Sequence, residues 1–156
     1  MWVGNGTQDK ESWVGDAGES PTNKKEMPRS DKKAKEQPME IYKEFRIEAA
    51  HRLPHVPDGH KCARLHGHSF RIVLVLDGPL AEPQGWVCDF ADLTAAFAPL
   101  HAQLDHHYLN EIEGLENPTS ENLARWVWQR LSPALPLLSR VTIRETCSAG
   151  CSFSGD

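Results

Sequence analysis

The sequence predicts an α+β domain: an antiparallel four-stranded sheet with two helices on one face, in the order strand, strand, helix, helix, strand, strand. Three observations carry this. Ile41, Phe45, Ile47, Ala49 and His51 share a parity, as do His68, Phe70, Ile72, Leu74 and Leu76, and residues two apart lie on one face of a strand. Phe90, Leu93, Phe97, Leu100 and Leu104 recur at helical spacing, and so do Leu123, Ala124, Val127, Trp128 and Leu131. Val141, Ile143, Glu145 and Cys147 alternate once more before the chain turns at Ser148-Ala149-Gly150.

Residues 1–38 contain no Leu, Ile or Phe and carry seven acidic against seven basic residues. Such a segment has too little apolar surface to offset its ordering entropy, so it is expected to be a disordered extension of a domain spanning residues 39–156. The first strand runs from Ile41 to His51, and a loop with two prolines leads from Arg52 to Leu65. The second strand, His68 to Asp77, stops at Gly78-Pro79. A short strand over Trp86–Asp89 is expected to continue this hairpin. Pro99 should kink or break the first helix. Asn117 is expected to cap the second helix, with Pro118 at its first position and Pro133 and Pro136 ending it. Trp126 and Trp128 read as packing residues. The third strand is expected from Arg140 to Cys147, leaving Cys147 and Cys151 reduced and partly buried in a terminal hairpin.

At 156 residues the chain has room for one domain with a real core. No apolar run approaches a membrane span and no signal peptide opens the chain, which points to the cytoplasm. A net charge of −5 without a basic stripe argues against nucleic acid. A polyphosphate ligand would need local cations, for which Arg52, Lys61, Arg64 and Arg144 are candidates.

The chemistry concentrates between Arg46 and Phe70, which hold five of the eight histidines and Cys62. His66 and His68 point the same way from the head of one strand, and His51 ends another. Three converging imidazoles suit zinc, and three protein ligands with a fourth position open is the catalytic pattern. The alternative is a closed structural site with Cys62 as fourth ligand. Cys62, four residues before His66, reads either as a base favoured as thiolate beside a dication or as a small buried apolar residue. His55 and His60 read as solvated loop residues. Asp105-His106-His107 sets a carboxylate beside an imidazole, a pairing that fixes a tautomer. Glu145 sits on an apolar face, where a carboxylate needs a partner: an arginine, or a ligand with two parallel N–H donors.

FRIEAAHRLPHVPDGHKCARLHGHSF, LDHHYLN, ENPTSENLA and ETCSAGC, in that order, resemble the 6-pyruvoyltetrahydropterin synthase family. The three-residue gap between Cys62 and His66 is similar to its bacterial 6-carboxytetrahydropterin synthase branch. The resemblance covers about Met39 to the C-terminus. It implies the tunnelling fold (T-fold), with subunits joined through sheet edges into a barrel and assembled as homohexamers. It also implies a zinc-dependent lyase acting on 7,8-dihydroneopterin triphosphate, in queuosine and deazapurine synthesis. Asp105 and His106 would be the acid–base pair, reaching the zinc and cysteine of a neighbouring subunit, and Glu145 would bind the pterin. Two alternatives stand beside it: the sister 6-pyruvoyl activity, and a non-catalytic pterin- or zinc-binding module.

Overall fold

The computed structural model describes residues 37–155, so the expected extension over residues 1–38 lies outside the described residues apart from its last two. The elements are β1 (Met39–His51), β2 (His66–Gly78), α1 (Phe90–Leu104), α2 (Ser120–Leu131), β3 (Leu138–Arg144) and β4 (Gly150–Phe153), with short 3-10 turns at Lys61–Ala63 and Leu109–Glu111. The four strands form one antiparallel sheet in the order β1-β2-β3-β4. This is the expected α+β fold with the ββααββ order.

Alternation divides the sheet into two unlike faces. Ile47, Ala49, Phe70, Ile72, Leu74, Leu76, Val141 and Ile143 are buried and share one core with Leu93, Phe97, Leu100 and Leu104 of α1 and Leu123, Ala124, Val127 and Leu131 of α2. Phe45 and Phe97 stack with ring centroids 4.3 Å apart, which fastens α1 onto β1. The residues of opposite parity are mostly polar. Arg140 pairs with Glu40 at 2.9 Å and Arg46 with Glu48 at 2.8 Å, so this second face carries ion pairs in place of a core. Trp126 is buried and donates to the Glu113 carbonyl, and Trp128 meets Phe153 edge-on, so both indoles pack as expected.

Several boundaries differ from the sequence expectation. Trp86–Asp89 is not a strand: only an isolated Ala81–Trp86 bridge forms. Gly85, at φ 72°, closes a tight loop onto Ala81, and Asp89 is consumed as the cap of α1. Helix α1 runs through Pro99 without a break. Pro99 sits on the exposed side, while buried Phe97 and Leu100 beside it hold the helix on the sheet. The cap of α2 is Thr119, whose side chain accepts from Asn122 N, so the helix starts three residues after Asn117. Asn117 instead gives its carbonyl to Thr119 N and the Asn122 side chain. Strand β3 ends at Arg144, short of the expected Cys147, and Cys147 is exposed while Cys151 is half-buried.

Pro99 yields a test. Proline inside a helix costs about 3 kcal/mol relative to alanine, and its stiffening of the unfolded chain returns about 0.4–1 kcal/mol. The difference leaves Pro99→Ala expected to raise unfolding stability in urea by about 2 kcal/mol. A loss of stability would show that the ring contributes packing that alanine cannot replace.

Candidate metal centre and its surroundings

The β1–β2 register brings the histidines together. His51 is the partner of His66, and Ala49 of His68, so all three imidazoles leave the helix-facing side at one end of the sheet. Their ligand atoms lie within 4.8 Å of one another. His51 is 1% exposed, with Phe70 edge-on against its ring, and His66 and His68 are half-buried.

Each ring has one nitrogen committed. His51 Nδ1 meets the Pro118 carbonyl at 3.0 Å, His66 Nδ1 the Arg64 carbonyl at 2.8 Å, and His68 Nδ1 the Ser69 carbonyl at 3.0 Å. A carbonyl only accepts, so each Nδ1 carries the proton and each Nε2 keeps its lone pair. His51 Nε2 and His68 Nε2 are nevertheless 3.1 Å apart. Two facing lone pairs repel unless a cation lies between them. Two nitrogens bound tetrahedrally to one zinc would be roughly 3.4 Å apart. Burial pushes the His51 imidazole below its ordinary pKa, despite the opposing Pro118 hydrogen bond, and so favours the neutral form a metal needs. The donor set therefore fits a divalent metal.

Cys62 lies in the 3-10 turn, half-buried, with its carbonyl accepting from Leu53 N. It lines a cavity of about 510 Å³ together with Lys61, Arg64, His66, His68, Glu145 and Thr146. Glu145 stands one residue beyond β3, and its Oε1 accepts from Ser120 Oγ at 2.6 Å. Of the two partners weighed for this carboxylate, no arginine pairs with it among the described residues, and a serine of α2 holds one oxygen. Ser120 was not picked out from the sequence, because the Asn117 cap would have placed it inside the helix. Reading Thr119 as the cap would have put it at the helix mouth.

Asp105-His106 lies elsewhere. The loop after α1 docks along the outer edge of β1: His106 N donates to Glu48 O at 2.6 Å and Ala50 N to His107 O at 3.0 Å. Asp105 Oδ1 accepts from Glu48 N at 2.9 Å, and Oδ2 meets His106 Nδ1 at 2.9 Å. His106 is exposed and adopts φ 59°, a conformation a residue with a side chain rarely takes. It lines a second cavity, of about 410 Å³, with Glu48, Ala49, Ala50, Gly67, His68, His107 and Tyr108. The carboxylate–imidazole pair expected from the sequence thus forms, but it does not share a cavity with Cys62 in one chain. His55 and His60 are exposed as expected, and His60 Nδ1 accepts from Cys62 N. Of the candidate cations, Lys61 and Arg64 line the Cys62 cavity, Arg52 donates to Tyr108 Oη, and Arg144 lies on the polar sheet face.

The hydrogen bond from Glu48 N, and then that from His106, hold the Asp105 carboxyl below its ordinary 3.8. A depressed carboxyl stabilises the fold above the unfolded value and loses that contribution as pH falls through the folded one. Asp105→Asn should therefore be less stable than the parent at about pH 6, and the gap should narrow at about pH 3. Urea midpoints of both proteins at the two pH values measure this, and a gap independent of pH would refute it.

A family model described as 6-pyruvoyl tetrahydropterin synthase matches residues 40–156. The 6-carboxy-5,6,7,8-tetrahydropterin synthase of Synechocystis is 48% identical over 119 residues, covering 72% of this chain and 91% of that protein. The Bacillus subtilis protein of the same name is 27% identical over 126 residues, covering 73% and 84%. Among solved structures, the 6-pyruvoyl tetrahydropterin synthase of Caenorhabditis elegans superposes with a TM-score of 0.72 at 26% identity, covering 78% of this chain and 98% of that one. With the family model spanning all but the first residue of the sheet and both helices, the chain belongs to the 6-pyruvoyl tetrahydropterin synthase family.

Proposed function

We propose that this chain is a zinc-dependent lyase converting 7,8-dihydroneopterin triphosphate and one water to 6-carboxy-5,6,7,8-tetrahydropterin with release of acetaldehyde and triphosphate. It would act in the cytoplasm, as a homohexamer, in queuosine and related deazapurine synthesis. The observation that supports this most is the single cavity lined by Cys62, His66, His68 and Glu145. Two of the three candidate metal ligands, a thiol and a positioned carboxylate around one cavity are parts that proton rearrangement on a pterin requires.

Glu145 would hold the pterin. Ser120 Oγ takes up Oε1, which leaves Oε2 and the remaining lone pairs for the parallel N–H donors of a 2-amino group and ring N3. The mouth of α2 beside it favours negative charge there. Zinc bound by Nε2 of His51, His66 and His68 would polarise oxygens of the substrate side chain and acidify its hydroxyls. Cys62 would remove a proton from that side chain. Asp105 would fix His106 Nδ1, leaving Nε2 to carry a proton in the return step.

The separate cavities of Cys62 and His106 support a site completed between subunits, in which the His106 loop of one copy meets the Cys62 wall of another. The 48% relative favours the 6-carboxy product over the sister 6-pyruvoyl product. Cys62 together with an Asp105–His106 pair counts against a non-catalytic pterin- or zinc-binding module. Residues 1–38 precede the family match and would form an accessory segment whose deletion leaves turnover unchanged.

Purified protein incubated with 7,8-dihydroneopterin triphosphate should release acetaldehyde and triphosphate in equal amounts. A tetrahydropterin formed without acetaldehyde would give the 6-pyruvoyl reading instead. His51→Ala, His66→Ala and His68→Ala should each lose zinc and activity together, at a cost of at least about tenfold in zinc affinity. Cys62→Ala should keep its zinc and lose turnover, and loss of the metal as well would mean a closed four-ligand site. For the shared site, inactive Cys62→Ala and His106→Ala oligomers should regain activity once dissociated, mixed and reassembled. Verified mixed oligomers as inactive as their parents would place both residues within one chain.

A further inference from the structure

Arg46, Arg71 and Arg144 stand in a cross-strand row, of which only Arg144 was among the cations that the sequence offered for a polyphosphate. Arg46 is the register partner of Arg71 on β1 and β2, and Arg71 is the partner of Arg144 on β2 and β3. All three lie on the sheet face away from the helices. Like charges directly opposite each other destabilise an antiparallel pair, and here the arrangement occurs twice in succession. In a chain of net charge −5 it is a local reversal of sign.

The row is only partly neutralised. Glu48 meets Arg46 at 2.8 Å and Ser69 Oγ also accepts from it, whereas Glu44 comes no nearer to Arg71 than 3.8 Å. Arg144 has no ion pair among the described residues. The three arginines line one cavity of about 290 Å³ with Ser69, Glu145, Thr146 and Cys147. Glu145 and Thr146 also line the Cys62 cavity, so the two hollows adjoin at the end of β3.

A guanidinium presents five N–H donors in a planar fork that matches phosphate oxygens. Neighbouring strands are about 4.8 Å apart, so the three stems span roughly 10 Å, the reach of linked phosphoryl groups more than of a single one. We propose that Arg46, Arg71 and Arg144 form a binding site for a polyphosphate chain, with Arg71 and Arg144 as its principal donors. The chain is either the triphosphate tail of the substrate, which rests on the function proposed above, or a separate triphosphate anion. Both present the same oxygens to the row.

The test uses the full chain and an Arg71→Gln/Arg144→Gln double variant, with sodium tripolyphosphate as the probe in isothermal titration. The parent should bind it and the variant should bind about tenfold or more weakly, as loss of charge-assisted hydrogen bonds implies. The variant should melt at or above the parent's temperature without ligand, because it removes facing like charges. It should lose the upward shift that tripolyphosphate gives the parent. A KM for 7,8-dihydroneopterin triphosphate raised in the variant with kcat retained assigns the row to the substrate tail. An unchanged KM, with row-dependent tripolyphosphate binding, assigns it to a separate anion. Equal tripolyphosphate binding by parent and variant, or none by the parent, overturns the site whether or not the substrate is turned over. Row-dependent binding without turnover upholds the site and removes the function proposed above.

Discussion

The pairing of His51 with His66 across β1 and β2 is the constraint on which the rest depends. Side chains alternate along a strand, so a slip of one residue would turn His51 to the polar face and leave His66 and His68 without it. The register is held by burial: the same alternation puts Ile47, Phe70, Ile72 and Leu74 under the helices. Fully burying a side chain of this kind is worth about 1.5–3 kcal/mol. A slipped sheet would forfeit several such contributions at once. The three-histidine cluster is thus specified by the hydrophobic core before any metal is considered.

The end of β1 also organises what surrounds the centre. The Pro118 carbonyl just before α2 fixes the His51 tautomer, and the Glu48 backbone fixes both Asp105 and His106. Helix α2 contributes twice, through Pro118 on its approach and through Ser120 at its first turn, which aims Glu145. The two helices are therefore more than a cover for the sheet. Their ends carry the groups that orient the imidazoles and carboxylates, and the packing of Phe97 on Phe45 keeps α1 where its trailing loop can reach β1.

Most of the fold was legible because its signals are periodic. Parity in Ile41–His51 and His68–Leu76 pointed correctly to the two long strands and the common direction of three histidines, and helical spacing identified both helices. Misreadings fell where a local signal competed with tertiary demand. Asn117-Pro118 has the form of a helix start, yet the Pro118 carbonyl is needed by His51 and the Asn117 carbonyl by Asn122. Trp86–Asp89 is short and apolar, but the loop closing at Gly85 and the capping role of Asp89 leave it no strand to pair with. Glu145 was placed on a strand and stands just past its end, where Ser120 and not parity sets its direction. The assignment of Cys62 and His106 to different cavities could not be read from spacing at all, since it depends on where two loops dock in space.

The proposed three-imidazole zinc centre leaves Cys62 free for chemistry. Zinc K-edge X-ray absorption on the purified protein tests this directly. The expected first shell is three imidazole nitrogens at about 2.0–2.1 Å with an added light atom and no sulfur. A sulfur scatterer at about 2.3 Å would make Cys62 a ligand and the site a closed structural one.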